Sequence, residues 1–320
     1  MLNRMLTIEI ARVTEAAAIA AAQWRGRGDE KLADQAAVDA MRKALNAIVE
    51  MDGLVVIGEG ERDEAPMLYI GEKVGGGKSW RIDIALDPLE GTTLCAKAMP
   101  NSIACVAMAE GGSLLHAPDT YMDKIAIGGG YPEGTVDLDL PPQENIARLA
   151  KAKSVPATQI TACILDRPRH DKIIAAVRET GASVRLITDG DVAGVIHTAD
   201  PEETGIDIYM GIGGAQEGVL AAAALACIGG QMQGRLVIAN DQHRARARAA
   251  GIHDLARKYT MRDMVTGDLS FAATGITDGS LLEGVRFTRE AVFTHTLVMR
   301  ASTRTVRWIK TEHPDISKFG

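Results

Sequence analysis

Apolar residues recur at helical spacing through residues 8–24, which predicts an amphipathic helix ending at Arg25-Gly26-Arg27-Gly28. A second helix is predicted over 33–50. Its stripe is Val38, Met41, Leu45 and Ile48, and Asp34 stands one step upstream at the same spacing, so a carboxylate begins the face that must point inward. Leu54-Val55-Val56-Ile57 predicts a short apolar strand. Residues 81–87 alternate with period two, and Pro88 is expected to stop that strand with Asp87 at its carboxyl end. Further strands are predicted over 102–109, 124–127, 161–165, 184–187, 206–210 and 235–238. Helical patterns over 171–180, 191–197 and 215–226 alternate with the later set, as β-α units do. Pro141-Pro142 is the one seam, so an α/β body of two lobes is expected, 1–150 and 151–320.

Composition narrows the class. With 320 residues the chain buries about three quarters of its surface on folding and needs no disulfide or metal staple. The four cysteines, Cys95, Cys105, Cys163 and Cys227, form no C-x-x-C pair, and a reducing cytoplasm is the expected compartment. The formal charge of −7 argues against nucleic acid as a partner. Arg244, Arg246 and Arg248 read as a solvated helix face. The longest uncharged apolar stretch, 219–228, is half of the ~20 residues that span a bilayer.

The chemistry gathers at element ends. In Asp87-Pro88-Leu89-Glu90-Gly91-Thr92 two carboxylates lie three residues apart, and Gly91 lets the backbone approach a ligand. Such a pair suits hard cations such as Mg²⁺ or Mn²⁺, with Thr92 holding a water or a phosphate oxygen. The loop Glu59-Gly60-Glu61-Arg62-Asp63-Glu64 crowds four acids that repel one another unless a cation neutralises them. Val74-Gly75-Gly76-Gly77-Lys78-Ser79 has the tail of a P-loop, but Glu72 stands where its first glycine belongs, and a tight hairpin turn is expected instead. Gly211-Ile212-Gly213-Gly214-Ala215-Gln216 follows a strand and opens a helix, so its N–H groups suit an anion, while Glu217 in that helix offers a further metal oxygen. Arg167-Pro168-Arg169-His170 offers two guanidinium groups to a phosphate. Asp189-Gly190-Asp191 suits sugar hydroxyls or a helix cap. No Ser-His-Asp order, H-E-x-x-H or catalytic cysteine context is present, and His170 and His197 read as surface or satisfied residues.

Taken in order, Gly58-Glu-Gly-Glu-Arg-Asp-Glu-Ala-Pro-Met67, Asp87-Pro-Leu-Glu-Gly-Thr92, Ala117-Pro-Asp-Thr-Tyr-Met122, Pro168-Arg-His-Asp171, Asp189-Gly-Asp191, Gly211-Ile-Gly-Gly-Ala215 and Ala273-Thr-Gly-Ile-Thr277 resemble the class II fructose-1,6-bisphosphatases of bacteria, the GlpX family. The likeness runs from the first helix to about Arg307. Asp-Pro-Leu-Glu-Gly-Thr alone marks the wider lithium-sensitive, metal-dependent phosphatase superfamily. The resemblance implies the sugar-phosphatase fold, a layered α-β-α-β-α sandwich, and hydrolysis of the 1-phosphate of fructose 1,6-bisphosphate with two or more Mn²⁺ or Mg²⁺ ions. It implies metal ligands at Asp34, Glu59, Asp87, Glu90 and Glu217. Substrate contacts are implied at Glu90, Gly91, Thr92, Tyr121, Arg167, Pro168, Arg169, Asp189, Gly190, Asp191 and Gly214. Thr92 would aim a water, with Glu61 or Asp63 as base, and a homo-oligomer serving gluconeogenic or Calvin-type metabolism is expected. The chain departs from the family pattern at Arg167, where lysine can occur, at Gln216, where proline can occur, and in a shorter, arginine-rich segment over 240–252. Alternatives are a sedoheptulose-1,7-bisphosphatase, an inositol-type monophosphatase, and a non-catalytic sugar-phosphate sensor.

Overall fold

The computed structural model describes residues 2–60, 67–78 and 80–315. In chain order the elements are helices α1 (Leu6–Ala22) and α2 (Glu30–Asn46), strands β1 (Met51–Ile57), β2 (Lys73–Val74) and β3 (Trp80–Glu90), helix α3 (Thr92–Ala96) and strand β4 (Ile103–Glu110). Then come β5 (Tyr121–Ile127), α4 (Pro142–Lys153), β6 (Thr161–Leu165), α5 (Asp171–Glu179), β7 (Ser183–Ile187), α6 (Asp191–Ile196), α7 (Pro201–Thr204), β8 (Ile208–Gly214), α8 (Ala215–Ile228), β9 (Gln231–Val237), α9 (Asp241–Ala249), β10 (Lys258–Thr260) and α10 (Met261–Met264). Strands β11 (Leu269–Gly275), β12 (Arg286–Phe287), β13 (Val292–Arg300) and β14 (Thr305–His313) close the chain.

These form a mixed α/β protein of two units, Met1–Leu115 with Thr266–Gly320, and His116–Val265. The division does not fall at Pro141-Pro142. That pair opens α4 inside the second unit, where proline's fixed φ and missing N–H suit a first helical turn. The final 55 residues return to the first unit because β11 pairs with β4 from Leu269↔Ala109 to Gly275↔Ile103, a long-range pairing that no local pattern announces.

The sheet of the first unit runs β12-β13-β11-β4-β3-β1-β2, with β14 on the other edge of β13. Only β1 and β3 are parallel among its pairs. Helices α1 and α2 cover one face, burying Ile10, Ile19, Met41 and Leu45 against Ile82, Ile84, Val106 and Val298. Each such side chain contributes about 1.5–3 kcal/mol. α2 begins three residues earlier than the predicted 33 because Asp29 caps it, accepting from the Leu32 N–H at 3.0 Å.

Strand β3 continues through Pro88 to Glu90. Its pairing with β1 ends at Ala85, and its register with β4 shifts between Asp87 and Glu90, so Pro88 falls in a bulge where no ladder donor is required. The Gly75–Gly77 segment is not a hairpin: β2 pairs with β1, and Gly76 and Gly77 donate to the carbonyls of Ile48 and Met51. A side chain at Gly76 would overlap the Val49 carbonyl.

The sheet of the second unit runs β10-β9-β5-β8-β6-β7, parallel only where β6 meets β7 and β8. On one face Ile146 and Leu149 of α4 and Ile174 and Val177 of α5 pack on Ile125, Ile164 and Ile208. The other face receives α6 and α8. No helix among the described residues is long and apolar enough to cross a membrane.

Candidate active site

In the first unit α2, which carries Asp34, packs on β3 and α3, and Asp87 and Glu90 lie at the end of β3. Asp34, in the second turn of α2, is half-buried beside fully buried Ala33 and Ala37, and that burial holds its carboxyl above the ordinary range. Asp87 and Glu90 flank the bulge. Asp87 Oδ1 accepts the Leu89 N–H at 3.0 Å, which folds the turn over its own strand, and Glu90 is buried with its carbonyl taken by Ser102 Oγ at 3.1 Å. Gly91 adopts φ 79°, a left-handed conformation that lets α3 start at once with Thr92 as its first, half-buried residue. Asp83 shares a row of β3 with Asp87 but is spent on structure: one of its oxygens accepts from Gly112 and Ser113 N–H at 2.8 and 3.0 Å.

Glu59 lies two residues past β1, half-buried, with its N–H on the Leu68 carbonyl at 3.1 Å. A side chain at Gly58 would overlap that same carbonyl, so glycine permits the chain to fold back there. Glu61 and Asp63 lie outside the described residues. Among the described residues no three His, Cys, Asp or Glu side chains stand together as a ready-made cation cage.

In the second unit β5 and β8 bring the remaining candidates together. Strand β8 runs through the glycines to Gly214 and α8 begins at the next residue, so this segment is strand and not a loop. Tyr121 pairs with Gly214 across the sheet, and the Ala215 N–H donates to the Thr120 carbonyl at 2.8 Å. The Glu217 carboxylate turns back over Gly214, where any side chain would overlap it. Burial pushes the Glu217 carboxyl up, the Asp191 carboxylate adds to this, and the Lys124 ammonium opposes it. Asp191, the first residue of α6 after Gly190 at φ 80°, is buried and accepts from Lys124 Nζ and from Tyr209 Oη at 3.4 Å. Asp189 is half-buried just before it.

Arg169 is exposed. Its guanidinium donates twice to the Ile212 carbonyl, at 3.1 and 2.7 Å, and lies 5.4 Å from the centre of the Tyr121 ring. Arg167 is half-buried and donates to the Asp166 carbonyl at 2.9 Å. Both hang from the short turn that Pro168 opens. His170 clamps that turn: fully buried, its Nδ1 meets the Leu165 carbonyl and its Nε2 accepts the Ile212 N–H, each at 2.8 Å. Its burial lowers its pKa, and accepting at Nε2 requires the neutral ring.

Two residues of this unit carry more than their sequence patterns indicate. Lys124, placed at the start of a strand by its pattern, is buried in the middle of β5 and donates to Asp191 and to the Gly214 carbonyl at 2.8 Å. Its signal was a lysine in period with Met122 and Ala126. Arg246, expected on a solvated face, instead grips Asp119 through its carboxylate and carbonyl, bracing the turn before Tyr121.

The family model described as bacterial fructose-1,6-bisphosphatase, glpX-encoded, matches residues 4–313. Fructose-1,6-bisphosphatase 1 class 2 of Escherichia coli (strain K12) is 45% identical across 98% of this chain and 96% of its own length. The class 2 fructose-1,6-bisphosphatases of Escherichia coli O6:H1 and Shigella flexneri match to the same 45%. A match that takes in both units and every carboxylate, arginine and glycine described above establishes that the chain belongs to the bacterial, glpX-encoded fructose-1,6-bisphosphatase family.

Proposed function

We propose that this protein hydrolyses the 1-phosphate of fructose 1,6-bisphosphate, releasing fructose 6-phosphate and inorganic phosphate, with Mn²⁺ or Mg²⁺ as cofactor. The observation that carries the reading is the match over residues 4–313, which makes the chain a phosphoric monoester hydrolase of a metal-dependent family. Asp34, Glu59, Asp87, Glu90 and Glu217 are the proposed cation ligands. An all-carboxylate donor set suits hard divalent ions, and the raised carboxyl pKa values of Asp34 and Glu217 are what burial does to groups built to face a positive charge. Bound there, the cations would neutralise the 1-phosphate and polarise it toward attack.

The chain's own residues do the rest. Thr92, held at the left-handed Gly91 turn, aims the attacking water in line, and Glu61 or Asp63 takes its proton. Arg167 and Arg169 hold the distal 6-phosphate, with Pro168 fixing the turn that carries them. Tyr121, Asp189 and Asp191 receive the sugar hydroxyls, with Gly190 and Gly214 as the backbone contacts beside them. Positioning and charge stabilisation supply the rate, with no covalent intermediate on the protein. We also read the enzyme as a cytoplasmic homo-oligomer. Its four cysteines are buried thiols, and burial pushes Cys95 and Cys163 up to about 11 and about 12, which keeps them protonated and inert.

Phosphate release with Mn²⁺ from fructose 1,6-bisphosphate tests the reading. Glu59→Gln and Asp87→Asn are each expected to lower turnover at least 100-fold, about 3 kcal/mol of lost charge stabilisation. Near-normal turnover in both would end the ligand assignment, and faster turnover on sedoheptulose 1,7-bisphosphate would move the substrate.

A further inference from the structure

Lys124 is 1% exposed, and a buried ammonium costs several kcal/mol unless its partners are well placed. The surrounding sequence is arranged to admit it. Gly211 stands opposite it on β8, and at Gly213, two residues further along that strand, a Cβ would overlap Asp191 Oδ2 and stand 3.0 Å from Lys124 Nζ. At Gly218 of α8 a Cβ would stand 3.3 Å from the Lys124 stem. Two glycines on two elements thus leave room for one long cationic side chain. Its ammonium reaches Asp191 at the start of α6 and the Gly214 carbonyl at the start of α8, which joins the turn of a proposed sugar-binding carboxylate to the turn from which Glu217 springs. Among the described residues Lys124 and Tyr209 both donate to Oδ2 of Asp191, which leaves Oδ1 to an incoming hydroxyl.

We propose that Lys124 is a positioning residue of the reaction, orienting the Asp191 carboxylate for the sugar and holding the β8–α8 joint from which Glu217 reaches the cation. This inference rests on the assignment of Asp191 and Glu217 given above. It names a residue that touches neither substrate nor cation and acts through two that do.

A double-mutant cycle tests it on the full-length enzyme with Mn²⁺. Lys124→Met keeps the stem and removes the charge. It is expected to raise KM for fructose 1,6-bisphosphate about tenfold or more, the fold-change carried by one hydrogen bond to a charged group. The half-activating Mn²⁺ concentration should rise with it, and the far-UV circular dichroism should stay that of the parent. Added to Asp191→Asn, the same change should move KM less than about twofold, since the group it orients is already gone. Full multiplication of the two effects, or an unchanged KM in Lys124→Met, overturns the inference. If the methionine variant does not fold, Lys124→Leu, which likewise removes both the charge and the donor, is read on the same cycle and the same criteria. An unchanged KM in Asp191→Asn alone would instead strike the substrate assignment, so the two failures are distinguishable.

Discussion

Gly214 shows how one missing atom decides a site. Its φ of −63° and ψ of 146° are open to any residue, so glycine is not required there by the backbone. It is required by the Glu217 carboxylate, which occupies the space a Cβ would take. Gly214→Ala should therefore leave the fold intact and displace only the far end of a flexible side chain. We expect an unfolding free energy within about 1 kcal/mol of the parent, because surface-like substitutions without cavity or strain cost little. The half-activating Mn²⁺ concentration should nevertheless rise severalfold. Titrating activity with Mn²⁺ beside a urea melt checks both halves, and a loss of stability without a cation effect would refute it. Asp83 and Asp87 make the complementary point: they share a row of one strand, yet the first is consumed by backbone N–H groups of the β4 turn and only the second stands at the bulge.

At the scale of elements, each proposed ligand depends on where its helix or strand begins or breaks. α2 presents Asp34 one turn after its cap, so the cap sets the start from which the carboxylate is counted. Asp29→Ala removes the acceptor for the Leu32 N–H and is expected to cost about 1 kcal/mol by urea denaturation. Turnover at saturating Mn²⁺ should be nearly unchanged, because tertiary packing of Ala33, Ala37 and Met41 keeps the helix in register. A turnover loss above about tenfold would show that the cap, and not the packing, places Asp34. β3 works by interruption: losing β1 as a neighbour after Ala85 frees the strand to bulge at Pro88 and to turn at Gly91. β8 works by continuity, running straight into α8 so that the Gly214 carbonyl and the Glu217 carboxylate lie one turn apart.

At the scale of the whole molecule, buried histidines of the second unit contribute to the pH dependence of stability. His197 is 3% exposed, and burial, helped by the Arg185 charge, lowers its pKa from 6.5 to about 4. The unfolded chain therefore binds a proton below pH 6.5 that the folded chain refuses. Stability is fully present above pH 6.5 and is lost as the pH falls toward 4, by about 3 kcal/mol from this residue. His170, also lowered by burial, acts in the same direction. Melting temperatures recorded between pH 8 and pH 4.5 should fall once the pH passes below about 6.5, and His197→Gln should flatten that fall. An unchanged slope in the variant would remove His197 from the account.

Much of this was legible before any fold was known. The spacing of Asp34 before Val38, Met41 and Leu45 marks a carboxylate on an inward face, and Asp87-Pro-Leu-Glu-Gly-Thr92 marks a turn built for a ligand, because helix period and proline chemistry act within a few residues. Strands β11, β13 and β14 gave no such signal. β11 is buried along its whole length and so lacks the alternation that announces a strand, and its partner β4 lies some 160 residues earlier in the chain. The Pro88 bulge was hidden for a related reason, since whether a proline ends a strand depends on whether a neighbour needs its missing N–H. Residue types, their order and their local geometry follow from the chain's own periodicity. The buried pairing of Lys124 with Asp191, and the Gly214 space taken by Glu217, come only from packing distant segments together, because a charge can be buried only where the folded chain brings its partner.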